Sequence, residues 1–153
     1  SAIKTFTQKV NWKDLDFIIV DMPPGTGDTQ LTFSQEIKMD GAIIVSTPQE
    51  VALLDVKRGI KMFDKLGVKI LGLVDNMSYF IGDDGKKYKI FGEGGVKRTA
   101  EEFNKEFLGE IIIDPKVGKA ADEGKPIVEL DPENEISKIY IDLANKVKTE
   151  FIK

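Results

Sequence analysis

Cysteine and histidine are both absent from this 153-residue sequence. Without cysteine there is no disulfide, no thiolate nucleophile, and no zinc or iron–sulfur site held by this chain's own sulfur atoms. Without histidine the commonest general base, the Ser-His-Asp triad and the commonest metal ligand are excluded as well. Long apolar runs are also missing: none approaches the ~20 residues of a membrane span. Ser1 to Gln8 is an amphipathic start rather than a charged region followed by an apolar one, so no signal peptide is read there and the cytoplasm is the expected compartment. The 22 basic residues are spread among 26 acidic ones for a net charge of −4, which gives no support to a nucleic-acid groove. At 41% hydrophobic and 31% charged, the composition is that of an ordinary globular domain. The groups left for chemistry are carboxylates, lysines, backbone amides, and a metal or nucleotide held by oxygen.

Short apolar runs alternate with helical patterns along the chain. Phe17-Ile18-Ile19-Val20 ends in Asp21, Ala42-Ile43-Ile44-Val45 ends in Ser46-Thr47, and Ile70-Leu71-Gly72-Leu73-Val74 ends in Asp75-Asn76. Each is rich in β-branched residues without polar alternation, as in strands buried on both faces of a parallel sheet. Phe107 to Ile113 fits the same description. Thr47-Pro48-Gln49-Glu50 reads as a capping box opening a helix to about Leu66, with Gly67 as its C-terminal cap. Asp28 suits the cap of a helix through about Lys38, and Asp131-Pro132 the start of the last helix. In that helix Ile136, Ile139, Tyr140, Leu143 and Val147 form one apolar stripe. Trp12 and Tyr140 read as packing residues. The layout predicts an α/β fold, a mostly parallel sheet with helices on both faces. Ser78 to Gly95 reads as irregular.

The informative segment is Asp16 to Gln30. A Walker A loop requires glycine at the position of Met22 and lysine at that of Asp28. A carboxylate in place of that lysine repels the phosphates by about several kcal/mol in a partly desolvated site, so the segment is not a Walker A loop. An apolar strand ending in Asp21 fits instead the Walker B arrangement, in which the acid holds Mg²⁺ directly or through water. Gly25-Thr26-Gly27 then suits a switch loop near a γ-phosphate, where glycine lets backbone N–H groups approach closely. A plain strand–turn–helix with Pro23-Pro24 stiffening the turn and Asp28 as N-cap is the alternative.

These residues closely resemble the signature of the Mrp/ApbC family, deviant P-loop ATPases of the same broad class as the Min and Par ATPases that act as iron–sulfur cluster carriers. The resemblance continues through Thr47-Pro48-Gln49-Glu50, Asn76-Met77-Ser78-Tyr79-Phe80, Ile90 to Gly95, Phe107 to Glu110, and Asp114 to Val128. It matches the C-terminal part of the family's nucleotide domain. The family's own P-loop and its catalytic Asp lie well upstream, and too few residues precede Asp16 to contain them, so the chain is expected to be an incomplete domain, inactive alone and without a catalytic residue of its own. The resemblance implies ATP and Mg²⁺, with Asp21 on the metal, Pro24, Gly25, Gly27 and Asp28 around the phosphates, Asn76 on adenine and Asp114 near the adenine pocket. It also implies a homodimer that closes over nucleotide, with assembly factors or apo-client proteins as partners and neither nucleic acid nor membrane. The family's Cys-x-x-Cys falls just after Phe80. Here Gly82 and Gly85 stand in that stretch, which is one residue short, so no bridging cluster forms through it.

Two further readings stay open beside this one: a positioning ATPase of the Min/Par type, and a non-enzymatic α/β interaction domain. The final helix bears on the first, because its mixed charge does not suit a basic membrane-binding helix. Gly92-Glu93-Gly94-Gly95 precedes a helix and reads as a structural or interface loop rather than an anion site. Asp83-Asp84 reads as a solvated turn, with Lys86, Lys87 and Lys89 as a solvated face beside it.

Overall fold

A computed structural model describes Thr5, residues 9–22 and residues 28–152, the side chains of Asp28 and Thr29 excepted. In chain order the elements are α1 (Asp28–Glu36), β1 (Ala42–Ser46), α2 (Glu50–Leu66), β2 (Ile70–Ile81), β3 (Lys87–Tyr88), α3 (Gly95–Glu102), β4 (Phe107–Ile113), α4 (Pro115–Asp122), α5 (Ile127–Leu130) and α6 (Glu135–Phe151). β2 is the hub of the sheet. It pairs in parallel with β1, from Ala42↔Ile70 to Ser46↔Asp75, and in parallel with β4 on its other side, from Leu73↔Phe107 to Phe80↔Ile113. Its far end folds back on β3 in an antiparallel hairpin.

Alternation along the buried strands sends side chains to both faces, and helices cover each. Leu73 and Ile44 face α2 and α3, packing with Leu53, Val56, Ile60, Val96 and Ala100. Val74 and Ile43 face α4, α5 and α6, packing with Ile111, Ala120, Ile127 and Ile136. Ile60, Leu73 and Ile136 are fully buried, and full burial of such side chains stabilises by about 1.5–3 kcal/mol each. The expected α/β architecture is therefore present.

Several local expectations are corrected. Phe17 to Val20 is not a strand: it has no ladder partner among the described residues, and Ile19 is 82% exposed. An apolar run becomes a buried parallel strand only where neighbours take its backbone groups on both sides. α2 begins at Glu50, with Gln49 in extended conformation as its N-cap and no side-chain capping bond. Thr47 does not cap it, because its hydroxyl meets the Gln49 side chain instead. The C-terminal end is as read: Gly67 adopts φ 69°, the left-handed turn that glycine accepts without strain. α1 stops at Glu36, two residues early.

Trp12 and Tyr140 are 40% and 41% exposed and belong to neither core cluster. The last helix opens at Asn134, whose side chain accepts from the Ile136 N–H. Asp131 precedes it in a turn, its carbonyl taking the Ser137 hydroxyl at 2.6 Å. Asn134→Ala is expected to cost about 1 kcal/mol. Asp131→Ala keeps that carbonyl and is expected to stay within about 0.5 kcal/mol of wild type. Urea unfolding of the two variants measures the difference.

Ser78 to Gly95 is not irregular throughout. Ser78–Ile81 continues β2, and Lys87-Tyr88 pairs with Phe80 and Ile81. The turn between them is internally bonded. The Asp84 carboxylate accepts from the Lys86 N–H at 3.0 Å and from the Tyr88 hydroxyl at 2.8 Å, and these bonds hold it below the usual carboxylate range. The acidic pair is thus a closed turn. Gly95, which opens α3, lies so close to the chain that an added Cβ would stand 2.6 Å from the Pro48 carbonyl oxygen. The Gly-rich loop before α3 therefore has a packing reason for its composition.

Candidate functional site

The parallel strands β1, β2 and β4 end along one edge of the sheet, the edge at which open α/β folds bind ligands. Asn76 lies on that edge in β2 and Asp114 directly follows β4. The β1 ladder stops at Ser46↔Asp75 and the β3 ladder begins at Phe80↔Tyr88. On that side of β2, residues 76–79 therefore have no paired strand among the described residues. On the β4 side the register slips between Asn76 and Phe80. Met77, within the slip, has φ 56°, a conformation that costs a non-glycine residue about 1–3 kcal/mol. The backbone at Asn76 is thus both open on one side and strained.

Asn76 is half-buried. Its Oδ1 accepts from the Met77 N–H at 3.0 Å, which fixes the amide plane, while its NH₂ group has no hydrogen-bond partner among the described residues. An amide held this way presents two donors, with remaining acceptor capacity on the oxygen, to a flat heterocycle edge. The Asp114 Oδ1 accepts from the Lys116 N–H at 2.8 Å, with Pro115 in the first turn, so its carboxylate acts as the N-cap of α4. Its position is compatible with walling a ligand at the edge, but its side chain is committed to the cap.

Asp21 is exposed and ends a segment without strand pairing. Among the described residues no three His, Cys, Asp or Glu side chains gather into a metal cage. A lone exposed carboxylate suits Mg²⁺, which is held by one or two carboxylates together with water and phosphate oxygens. Pro24, Gly25 and Gly27 lie outside the described residues. Asp28 opens α1. Just beyond it, Gln30 Oε1 and Ser34 Oγ, one turn apart on α1, are buried without hydrogen-bond partners among the described residues.

The residue that sequence reasoning missed is Asp75. The apolar run before it predicts a strand ending there, but β2 runs on to Ile81, leaving the carboxylate inside the sheet at 1% exposure. Its Oδ1 has no hydrogen-bond partner. Burial, and then the neighbouring Glu110 on β4, raise its pKa from 3.8 to about 6. The signal lay in the sequence: Asp75-Asn76 interrupts an apolar run that resumes at Met77 and continues through Ile81.

Comparison with known proteins bears on the family and the fold. The family model described as ParA, the NUBPL iron-transfer P-loop NTPase, matches residues 1–148. The chain is 49% identical over 148 residues to the Arabidopsis thaliana "Iron-sulfur protein required for NADH dehydrogenase, mitochondrial", covering 96% of this chain and 47% of that protein. It is 46% identical over 147 residues to the "Iron-sulfur cluster carrier protein" of Synechocystis sp., covering 95% and 42%. The chain thus spans less than half the length of these relatives. Among solved structures, the nucleotide-binding protein of Archaeoglobus fulgidus in complex with ADP superposes with a TM-score of 0.72 at 40% identity, over 81% of this chain and 51% of that one. The cell division ATPase MinD of Pyrococcus furiosus superposes at 0.68 with 24% identity, over 96% and 55%, a likeness of fold alone.

Proposed function

Because the chain belongs to the iron-transfer P-loop NTPase family, we propose that it forms the C-terminal part of the nucleotide domain of an ATP-hydrolysing iron–sulfur cluster carrier. The observation that carries the reading is the placement of Asn76, an oriented amide at the open stretch of β2 on the ligand-binding edge. In this proposal Asn76 holds the adenine edge and Asp114 borders the base. Asp21 holds Mg²⁺, directly or through water, and Pro24, Gly25, Gly27 and Asp28 lie about the phosphates. Mg²⁺, when bound, neutralises charge on the transferring phosphoryl group. Asp21 supplies the hard oxygen that fixes the ion, and Asn76 fixes the other end of the nucleotide.

The remaining phosphate-binding elements belong to sequence outside this stretch. The cluster is cargo: with no cysteine in the chain, its thiolate ligands come from elsewhere in the protein or from a partner. A homodimer closing over nucleotide, client proteins as partners and a cytoplasmic location belong to the same proposal.

Asn76→Ala in the full-length protein is expected to weaken MgADP binding about tenfold, the worth of one or two hydrogen bonds of about 1 kcal/mol each. Isothermal titration measures it. Unchanged affinity would remove Asn76 from the site.

A further inference from the structure

Asp75 is the only buried charged side chain among the described residues. Among the described residues, the groups around it offer no compensation. β1 places Ser46 in register with it, but the serine hydroxyl is engaged with the Thr47 carbonyl at 2.9 Å. β4 places Glu110 in register on the other side, a group of like charge. Alternation puts Asp75 on the same face as Leu73, beneath α2 and α3, where Leu53, Val56, Val96 and Ala100 are apolar. The Thr99 hydroxyl on α3 donates to the Gly95 carbonyl. Of the charged groups on those helices, Glu50, Lys57, Arg98 and Glu102 line a shallow cleft between them, with Lys57 paired to Glu102 at 2.7 Å. On β3, the Lys87 ammonium is hydrogen-bonded to the Tyr79 hydroxyl.

An ionised Asp75 is therefore a buried, unpaired negative charge, an arrangement that proteins relieve by protonation or by a partner. Its position matters as much as its environment. Asp75 is the last residue of β2 paired to β1, immediately before Asn76 and the strained Met77.

We propose that Asp75 is a positioning residue that couples occupancy of the strand end at Asn76 to uptake of one proton by its own buried carboxyl. The inference rests on the nucleotide reading given above. A bound nucleotide brings phosphate charge to the sheet edge and excludes water from it. Both effects oppose a second negative charge beneath the edge. The bound state thus holds the neutral acid; the proton comes from solvent and ends on a carboxyl oxygen, with no other bond made or broken. Linkage then requires nucleotide affinity to rise as pH falls through the range in which the free site titrates.

The test is calorimetric titration of the full-length protein with MgADP, in buffers of different ionisation enthalpy, for wild type and Asp75→Asn. Both share the nucleotide's own phosphate titration, so the difference between them isolates Asp75. If binding raises the carboxyl's proton affinity about tenfold, wild type takes up about half a proton more than the variant near pH 6.5. Its affinity also gains about fourfold on the variant's between pH 7.5 and pH 6. Asp75→Ser serves the same comparison if the amide does not fold. Equal proton uptake in wild type and variant overturns the coupling and leaves the nucleotide reading standing. Failure of wild type to bind MgADP overturns the nucleotide reading, and the coupling with it.

Discussion

Asp21→Ala in the full-length protein is expected to reduce Mg²⁺-dependent ATP hydrolysis by about 10²–10³-fold or more, to the level of a protein-free control. The size follows from the ion's part in phosphoryl transfer. Charge stabilisation by a bound divalent cation is worth several kcal/mol in the transition state, and each 1.36 kcal/mol is tenfold in rate. Asp21 is exposed at the end of an apolar segment, so the substitution leaves no hole in the core and vacates no buried partner. Folding is expected to be unchanged, and a matching urea transition checks that. Asp21→Asn keeps the shape but lowers the charge, and is expected to need higher Mg²⁺ for whatever turnover remains. Wild-type turnover in the alanine variant would remove Asp21 from the metal site.

The second large effect is on stability. Asp75 has a folded-state pKa of about 6 against an ordinary 3.8, so between those values the folded state binds more protons than the unfolded one. A raised folded pKa contributes stability that is fully present below about pH 4 and is lost as pH rises through about 6. The interval corresponds to about 3 kcal/mol. Wild type is thus expected to lose stability between pH 4.5 and 7, after the contributions of exposed carboxylates are matched by the variant. Asp75→Asn removes the charge and keeps the shape. It is expected to be more stable than wild type at pH 7.5 by about 1–3 kcal/mol, less than the full amount because an unpartnered amide carries its own cost. The advantage should vanish near pH 4. Urea transitions of both proteins across that range measure it, and parallel pH profiles would show that Asp75 does not carry the charge cost assigned to it.

Much of the fold was legible because the determinants are local. β-branched runs without polar alternation placed β1, β4 and the first half of β2. Gly67 fixed the end of α2, and Ile136, Ile139 and Leu143 marked the inward stripe of α6. The misreadings share a physical origin. Phe17 to Val20 has the composition of a strand, but pairing depends on neighbours that composition does not reveal. Thr47 and Asp131 are good capping residues in isolation, yet Gln49 and Asn134 took those places because the preceding turns fixed where the helices began. The continuation of β2 past Asp75 was hidden because a charged residue is a poor sign of a strand interior. In the candidate site, Asn76 and Asp114 were singled out by the family resemblance, and both lie where the parallel strands end. The burial of Asp75 was legible only in part: the apolar residues on either side of it signal a strand that continues, but the helices covering that face do not show in the strand's own sequence.

The left-handed backbone at Met77 has a mechanical consequence. It divides β2 into a lower part stitched to β1 and β4 and an upper part that meets β4 again only at Phe80 and carries the hairpin out to the closed turn at Asp84. At 3.3 Å per residue, the strand runs roughly 13 Å past Met77 before that turn. A rotation of about 5° at this single pivot displaces the strand's end by about 1 Å. The strand is in effect a lever with its fulcrum beside Asn76. Small adjustments of the backbone there are magnified at the outer end of the hairpin.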